Sequence, residues 1–196
     1  MKIIQQGAEA IISLEKNKIH KHRIKKSYRH QEIDTRLRKS RTKSEAKIIN
    51  KLQSIIPVPK ILDSDNKENI IMEHIKGEKL SENLEKLNWK EICKKISNNI
   101  TKIHDQDIIH GDLTTSNMIF SNKQVFFIDF GLAFHSYKIE DKAVDLHLLQ
   151  QALDAKHFTI SEQAFKIILD NYNPKDKNKI IQRIKTIESR GRYKGH

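Results

Sequence analysis

The sequence predicts an α+β protein in two lobes, a small strand-rich N-terminal lobe carrying helix and a compact helical C-terminal lobe. Three observations predict it. Strand-like segments crowd the first 75 residues, and apolar residues at three-to-four residue spacing dominate from Trp89 onward. Within the second of these stretches a short hairpin pattern separates two carboxylate-bearing motifs. This reading divides the chain into lobes at 1–75 and 76–188 and a basic tail at 189–196.

The elements follow in order. Residues 8–14 and 17–23 read as paired strands around a turn at Glu15, Lys16 and Asn17. Residues 31–52 carry Ile33, Leu37, Ile48, Ile49 and Leu52 in a charged background free of Gly and Pro, the composition of one or two helices. Pro57 and Pro59 end that segment, and residues 60–63 and 69–75, rich in Ile, read as two further strands. Gly77 marks the break into helices. From Trp89, the residues Ile92, Cys93, Ile96, Ile100 and Ile103 form the apolar stripe of an amphipathic helix. Cys93, the single cysteine, falls on that stripe, which suits a buried structural thiol better than a nucleophile. Further stripes run through Ala143, Val144, Leu146, Leu149 and Leu153, and through Ala164, Phe165, Ile168 and Leu169. Pro174 is expected to open a last helix at 180–187, and the aperiodic residues after it are expected to form a mobile tail.

The net charge of +12 is unevenly placed. Residues 16–51 carry nine Lys and five Arg against Glu32, Asp34 and Glu45, a local excess of +11. A second basic stretch holds Arg183, Lys185, Arg190, Arg192 and Lys194 against Glu188. Such clustering suits a phosphate-rich partner such as RNA, with Arg36, Arg38, Lys39 and Arg41 as the foremost contacts, or equally a solvated face. No apolar stretch approaches the length of a membrane span and no secretory leader is visible at the N-terminus, so the expectation is a soluble, cytoplasmic protein without membrane contact.

The chemistry concentrates in two motifs. His110-Gly111-Asp112-Leu113-Thr114-Thr115-Ser116-Asn117 keeps the D-x-x-x-x-N spacing in which the Asp meets an attacking hydroxyl or water and the Asn holds a metal ion. Asp129-Phe130-Gly131 follows twelve residues after Asn117 and supplies a second carboxylate. Residues 118–120 and 124–128 flank a turn at Ser121, Asn122 and Lys123, so Asn117 and Asp129 fall at the same end of a hairpin. Two carboxylates and an amide make a hard-oxygen site for Mg²⁺, and the chain is a candidate kinase or ATPase.

Such an enzyme also needs a cation against the nucleotide phosphates, held by an acid on a following helix. Periodicity offers Lys18 or Lys21 for the first and does not choose between them; Glu45 is available for the second, or is a solvent-exposed helical acid. The loop Gln6-Gly7-Ala8-Glu9-Ala10 lies where a cover over the phosphates belongs, although it holds one glycine. Glu73, through its carbonyl, and Ile75 close the last strand before Gly77, where an adenine edge would meet a hinge. Asp145 either braces the loop around Asp112 or caps a helix.

Taken together these segments resemble the small atypical kinase subunit of the KEOPS complex, the Bud-type kinases related to the RIO kinases. The resemblance runs almost end to end. It rests most on residues 6–10, on Lys21-His22-Arg23 with Tyr28-Arg29-His30, on Arg41-Thr42-Lys43-Ser44-Glu45-Ala46, on the two motifs, and on residues 139–146 and Arg190-Gly191-Arg192. It implies a two-lobed protein-kinase-like fold, ATP with Mg²⁺, serine/threonine kinase or ATPase activity, and service to threonylcarbamoyladenosine modification of tRNA. The implied partners are a Kae-type threonylcarbamoyl transferase, the other KEOPS subunits, and tRNA at the basic segment and tail. Carried onto this chain, it makes Lys21 the phosphate contact, Glu45 its orienting acid, Asp112 the catalytic base or water-positioning group, and Asn117 and Asp129 the metal ligands.

The chain departs from ordinary protein kinases in three ways. Gly111 replaces the Arg that receives an activation-loop phosphate, and Thr114 stands where many keep a Lys. Only seven residues separate Gly131 from Ile139, with no A-P-E segment after them, a small platform for a protein substrate. Two other functions compete. A small-molecule kinase of the aminoglycoside or choline kinase kind shares the HGD loop but carries a larger helical lobe, and a noncatalytic RNA-binding scaffold has no use for Lys21, Asp112, Asn117 and Asp129 together.

Overall fold

The computed structural model describes residues 1–192, with side chains described for residues 1–189. Five strands form an antiparallel N-terminal sheet in the order β1-β2-β3-β5-β4: β1 (Lys2–Gln6), β2 (Ala10–Glu15), β3 (Lys18–Arg23), β4 (Ile61–Ser64) and β5 (Asn69–Glu73). Lys16 and Asn17 both take positive φ, the twist of a tight two-residue hairpin turn, and so place β3 beside β2 with Lys21 opposite Ile12. The edge strand β1 has no counterpart in the sequence reading. All five of its residues are exposed, so no inward-facing apolar pattern announces it.

Residues 31–52 form a single helix, α1 (Gln31–Leu52), of 22 residues. Its buried residues Ala46, Ile48, Ile49 and Leu52 divide between two cores. Ala46 packs with Ile70 and Met72 of the sheet, whereas Ile48, Ile49 and Leu52 join the large core built mainly by the C-terminal helices. One helix therefore couples the sheet to the helical half. Near its start, Asp34 is buried and accepts from Arg38 Nε at 2.7 Å and from the Lys26 amide at 3.2 Å, which ties down the loop after β3.

The second half begins with β6 (Glu78–Lys79) and the short α2 (Leu80–Asn83), and is built around α3 (Trp89–Asp105), α4 (Ile139–Lys156), α5 (Ser161–Asn171) and α6 (Lys177–Arg192). Ile92, Cys93, Ile96, Ile100 and Ile103 are all buried, as the periodicity of α3 requires, and burial pushes the Cys93 thiol up to about 12. The last helix opens after Pro174 but runs past the expected residue 187 to Arg192; residues 193–196 of the tail lie outside the described residues. Among the described residues no helix is long and apolar enough to cross a membrane.

Two small sheets set the motifs in place. Strands β8 (Met118–Ser121) and β9 (Gln124–Phe127) form the expected hairpin, with positive φ at Asn122 and Lys123, and β6 pairs with β8. The strands β7 (Ile108–Ile109) and β10 (Phe134–His135), two residues each, pair antiparallel. That pairing lays the segment before His110 beside the segment after Gly131. The resulting strand-rich sheet followed by a helical part is the α+β, protein-kinase-like architecture the sequence predicts.

Candidate active site

Lys21 and Arg23 sit two apart on β3 and therefore point to the same side of the sheet, beneath α1. Both are buried, and both meet Glu45 of α1: Lys21 Nζ donates to Oε1 at 2.6 Å and an Arg23 guanidinium nitrogen to Oε2 at 2.5 Å. Glu45 is thus a buried bridging carboxylate, and the alternative of a solvent-exposed helical acid is ruled out. Lys21 Nζ also donates to Asp129 Oδ1 at 2.7 Å. Burial by itself lowers the lysine pKa, but the charges of Asp129 and Glu45 and the hydrogen bonds to both outweigh it, so the net displacement is upward. Asp129 shows the mirror effect. Desolvation raises its pKa, but Lys21 and the Gly131 amide together lower it by more, and the carboxyl is held below its ordinary value.

The hairpin β8/β9 accounts for the position of Asp129. The Ile128 amide donates to the Asn117 carbonyl at 3.0 Å, which joins the start of one motif to the end of the other. Asp129 then takes φ of +59°, a left-handed conformation unusual for a non-glycine residue and common at functional turns. Gly131 makes room for the cluster. A Cβ there would lie 3.0 Å from Asp129 Oδ1, 3.2 Å from Lys21 Nζ and 3.3 Å from an Arg23 nitrogen.

Asn117 donates its amide nitrogen to Asp112, at 2.8 Å to Oδ2 and 2.9 Å to the backbone carbonyl. Its Oδ1 is then the atom it has to offer a metal. Asp145 lies in the middle of α4, so it is no helix cap; its two oxygens accept the amides of His110 at 2.7 Å and Gly111 at 2.9 Å. Behind it, buried His104 stands 3.3 Å from the Asp145 carboxylate and 2.6 Å from the hydroxyl of buried Tyr172. Gly111 itself has φ of +77°, and a Cβ would stand 2.5 Å from the Leu132 carbonyl. The Arg that ordinary protein kinases place here has no room.

A cavity of about 220 Å³ lies over this cluster. Lys21, Asp112, Asp129 and Gly131 line it from below, and Gly7, Ala8 and Glu9 line it from the turn between β1 and β2. Of the residues singled out from the sequence, Gln6, Glu73 and Ile75 do not line it, and Glu45 and Asn117 do not line it either, the first standing behind Lys21 and the second behind Asp112 through their hydrogen bonds. Arg23 and Arg41 do, although the sequence reading gave neither a place there. A signal for Arg23 existed, since it alternates with Lys21. Arg41 carried one too, lying four residues before Glu45 and so on the same helix face.

The donor set fits a hard divalent ion. Among the described residues no group of three His, Cys, Asp or Glu side chains converges as a metal centre. Mg²⁺ keeps waters and substrate phosphates as ligands and takes one or two protein oxygens, which Asp129 and Asn117 Oδ1 are of the chemistry to supply.

A buried strand lysine paired to a helix acid, and a carboxylate-amide loop braced by a helical Asp, define an atypical kinase of the protein-kinase-like class. The chain belongs to the RIO domain family, whose model matches residues 1–146, and within it to the Bud32 group. It is 44% identical to the KEOPS complex subunit Bud32 of Pyrococcus abyssi, over 99% of this chain and 97% of that one. It is 38% identical to the probable serine/threonine-protein kinase BUD32 homolog of Archaeoglobus fulgidus, over 95% and 94% of the two chains. A probable bifunctional tRNA threonylcarbamoyladenosine biosynthesis protein of Methanobrevibacter smithii is 45% identical over 97% of this chain, which spans 36% of that longer protein.

Proposed function

We propose that this chain hydrolyses ATP as the kinase-like subunit of a KEOPS-type complex that supports threonylcarbamoyladenosine modification of tRNA. The observation that carries it is the convergence of Lys21, Asp112 and Asp129 at one cavity, with Glu45 held to Lys21 and Asn117 to Asp112. The similarity to a KEOPS complex subunit over nearly the whole of both chains supports the setting. So does the longer relative, named as a probable bifunctional tRNA threonylcarbamoyladenosine biosynthesis protein.

Each side chain then has a part in the reaction. Lys21 holds the nucleotide phosphates, Glu45 fixes its ammonium in place, and Asp112 orients the attacking water or hydroxyl and takes its proton. Asn117 Oδ1 and Asp129 would hold Mg²⁺. The ion, when bound with ATP, neutralises charge that develops on the transferred phosphoryl group. Asp145 keeps the backbone under Asp112 in one conformation. Because only seven residues separate Gly131 from Ile139, water or a very restricted serine or threonine is the acceptor.

The basic face of α1 suits tRNA. Among the four residues foremost in the sequence reading, Arg38 is tied to Asp34 and Glu68 and Arg41 to Glu9. Arg36, Lys39, Lys43 and Lys47 instead form an exposed stripe at helical spacing, and none of them forms an ion pair among the described residues. This stripe meets tRNA phosphates.

ATP turnover measured for the chain alone, then with the partner transferase and tRNA added, tests the function. Strong stimulation by both is expected; turnover indifferent to either would reject the role in modification.

A further inference from the structure

The anion in the loop over the cavity is the unexplained feature of this site. Glu9, between Ala8 and Ala10, accepts from an Arg41 guanidinium nitrogen at 2.7 Å through Oε2 and from Arg29 at 3.3 Å through Oε1. Its carboxylate therefore occupies two guanidinium groups, of which Arg41 lines the cavity and Arg29 does not. Among the residues lining that cavity, three cations, Lys21, Arg23 and Arg41, face three carboxylates, Glu9, Asp112 and Asp129. Lys21 and Arg23 are already committed to Glu45. Arg41 alone of the three is partly exposed and held by a carboxylate from a loop.

We propose that Arg41 is a phosphate-binding residue of the nucleotide site and that Glu9 is its stand-in anion, displaced when a nucleotide's terminal phosphate arrives. The inference rests on the nucleotide-site reading above and adds a residue and a control to it. A guanidinium that pairs with a carboxylate presents the same forked donors to a phosphate. Arg41 lies one turn before Glu45 on α1, so it reaches the cavity from the helix that already positions Lys21. It also brings charge to a site where Thr114 replaces the lysine that many protein kinases keep near the transferred group. Displaced from Arg41, Glu9 retains Arg29, and its loop can settle over the phosphates without leaving the carboxylate unpaired.

Equilibrium binding of ATP, ADP and adenosine to the full chain and to Arg41→Ala, Arg41→Lys, Glu9→Gln and the Glu9→Gln, Arg41→Ala double variant tests this. Arg41→Ala is expected to weaken ATP by about tenfold, ADP by less, and adenosine not at all, as loss of one charge-assisted contact to the terminal phosphate requires. Arg41→Lys should recover part of the loss, because the charge remains and the fork does not. Glu9→Gln should tighten ATP several-fold, and the gain should vanish in the double variant. Equal weakening of all three ligands by Arg41→Ala, or a Glu9→Gln gain that persists without Arg41, overturns the inference. Wild-type chain that binds no ATP overturns the nucleotide-site reading and this inference with it; wild-type binding with Arg41→Ala unchanged overturns this inference alone.

Discussion

Lys21 and Asp129 lie 108 residues apart in the chain, and their side chains meet at 2.7 Å. The ammonium and the Gly131 amide both hold Oδ1, so under the proposed function Oδ2 is the oxygen that Asp129 offers a metal ion. Asp129→Ala is therefore expected to lower magnesium-dependent ATP turnover by about 10²-fold or more while the chain stays folded, since Lys21 keeps Glu45. Steady-state phosphate release with circular dichroism as the folding control makes the measurement, and undiminished turnover would remove Asp129 from the site.

Asp112 is partly exposed, holds the Asn117 amide and lines the cavity. Asp112→Asn preserves size and removes the base, so turnover should fall by about 10²-fold with ATP affinity nearly intact. Parallel kinetic and binding titrations separate the two effects. Retained turnover would make Asp112 a structural partner of Asn117.

Asp145 accepts two backbone amides and stands beside His104. Asp145→Ala leaves the buried His110 amide and the half-buried Gly111 amide without their acceptor, and a buried donor left unpaired costs about 1–3 kcal/mol, so chemical denaturation should show a loss of about 2 kcal/mol or more. Asp145→Asn keeps one oxygen and should lose less. A loss below about 1 kcal/mol for the alanine variant would mean that the loop rearranges to satisfy itself.

His110 is buried against Phe130 and Phe127; its Nε2 donates to the Ile128 carbonyl, and Nδ1 is buried without a partner among the described residues. Burial holds its pKa below 6.5, and the carboxylates of Asp145, Asp129 and Asp112 oppose this without reversing it. The unfolded chain thus takes up a proton that the folded chain refuses. The stability it contributes is full above pH 6.5 and is lost as the pH falls from there through the lower folded value, at up to about 1.4 kcal/mol per pH unit. Buried His157 is displaced in the same direction, again by burial, and adds to this slope. Urea unfolding in magnesium-free buffer at pH 7.5 and 5.5 should show the loss, and His110→Gln should reduce it. An unchanged slope in that variant would place the titration elsewhere.

For the stripe on α1, alanine at Arg36, Lys39 and Lys43 should weaken tRNA binding and reduce the magnitude of its log-salt slope by about one unit per lost phosphate contact. Filter binding over a salt series gives both numbers. Unaltered affinity and slope would make the stripe a solvated face.

The sequence was most legible where a local rule suffices. The α3 stripe from Ile92 to Ile103, the hairpin around Asn122 and Lys123, and the spacing from Asp112 to Asn117 each follow from periodicity, turn chemistry or a fixed loop. It was least legible in β1, β6, β7 and β10. These strands are either wholly exposed or two residues long, too short to establish a period.

What the sequence alone determined is the inventory: the α+β order, the two motifs, and the presence of Lys21, Glu45, Asp112, Asn117 and Asp129. Only the tertiary structure decided the partnerships. It committed Arg38 to Asp34 and Glu68, Arg41 to Glu9, and Asp145 to the amides of His110 and Gly111. The reason is physical. Periodicity specifies which face a side chain occupies, whereas an ion pair requires that face to meet a particular second one, and that is fixed by how α1 lies on the sheet and how the hairpin carries Asp129 back to β3.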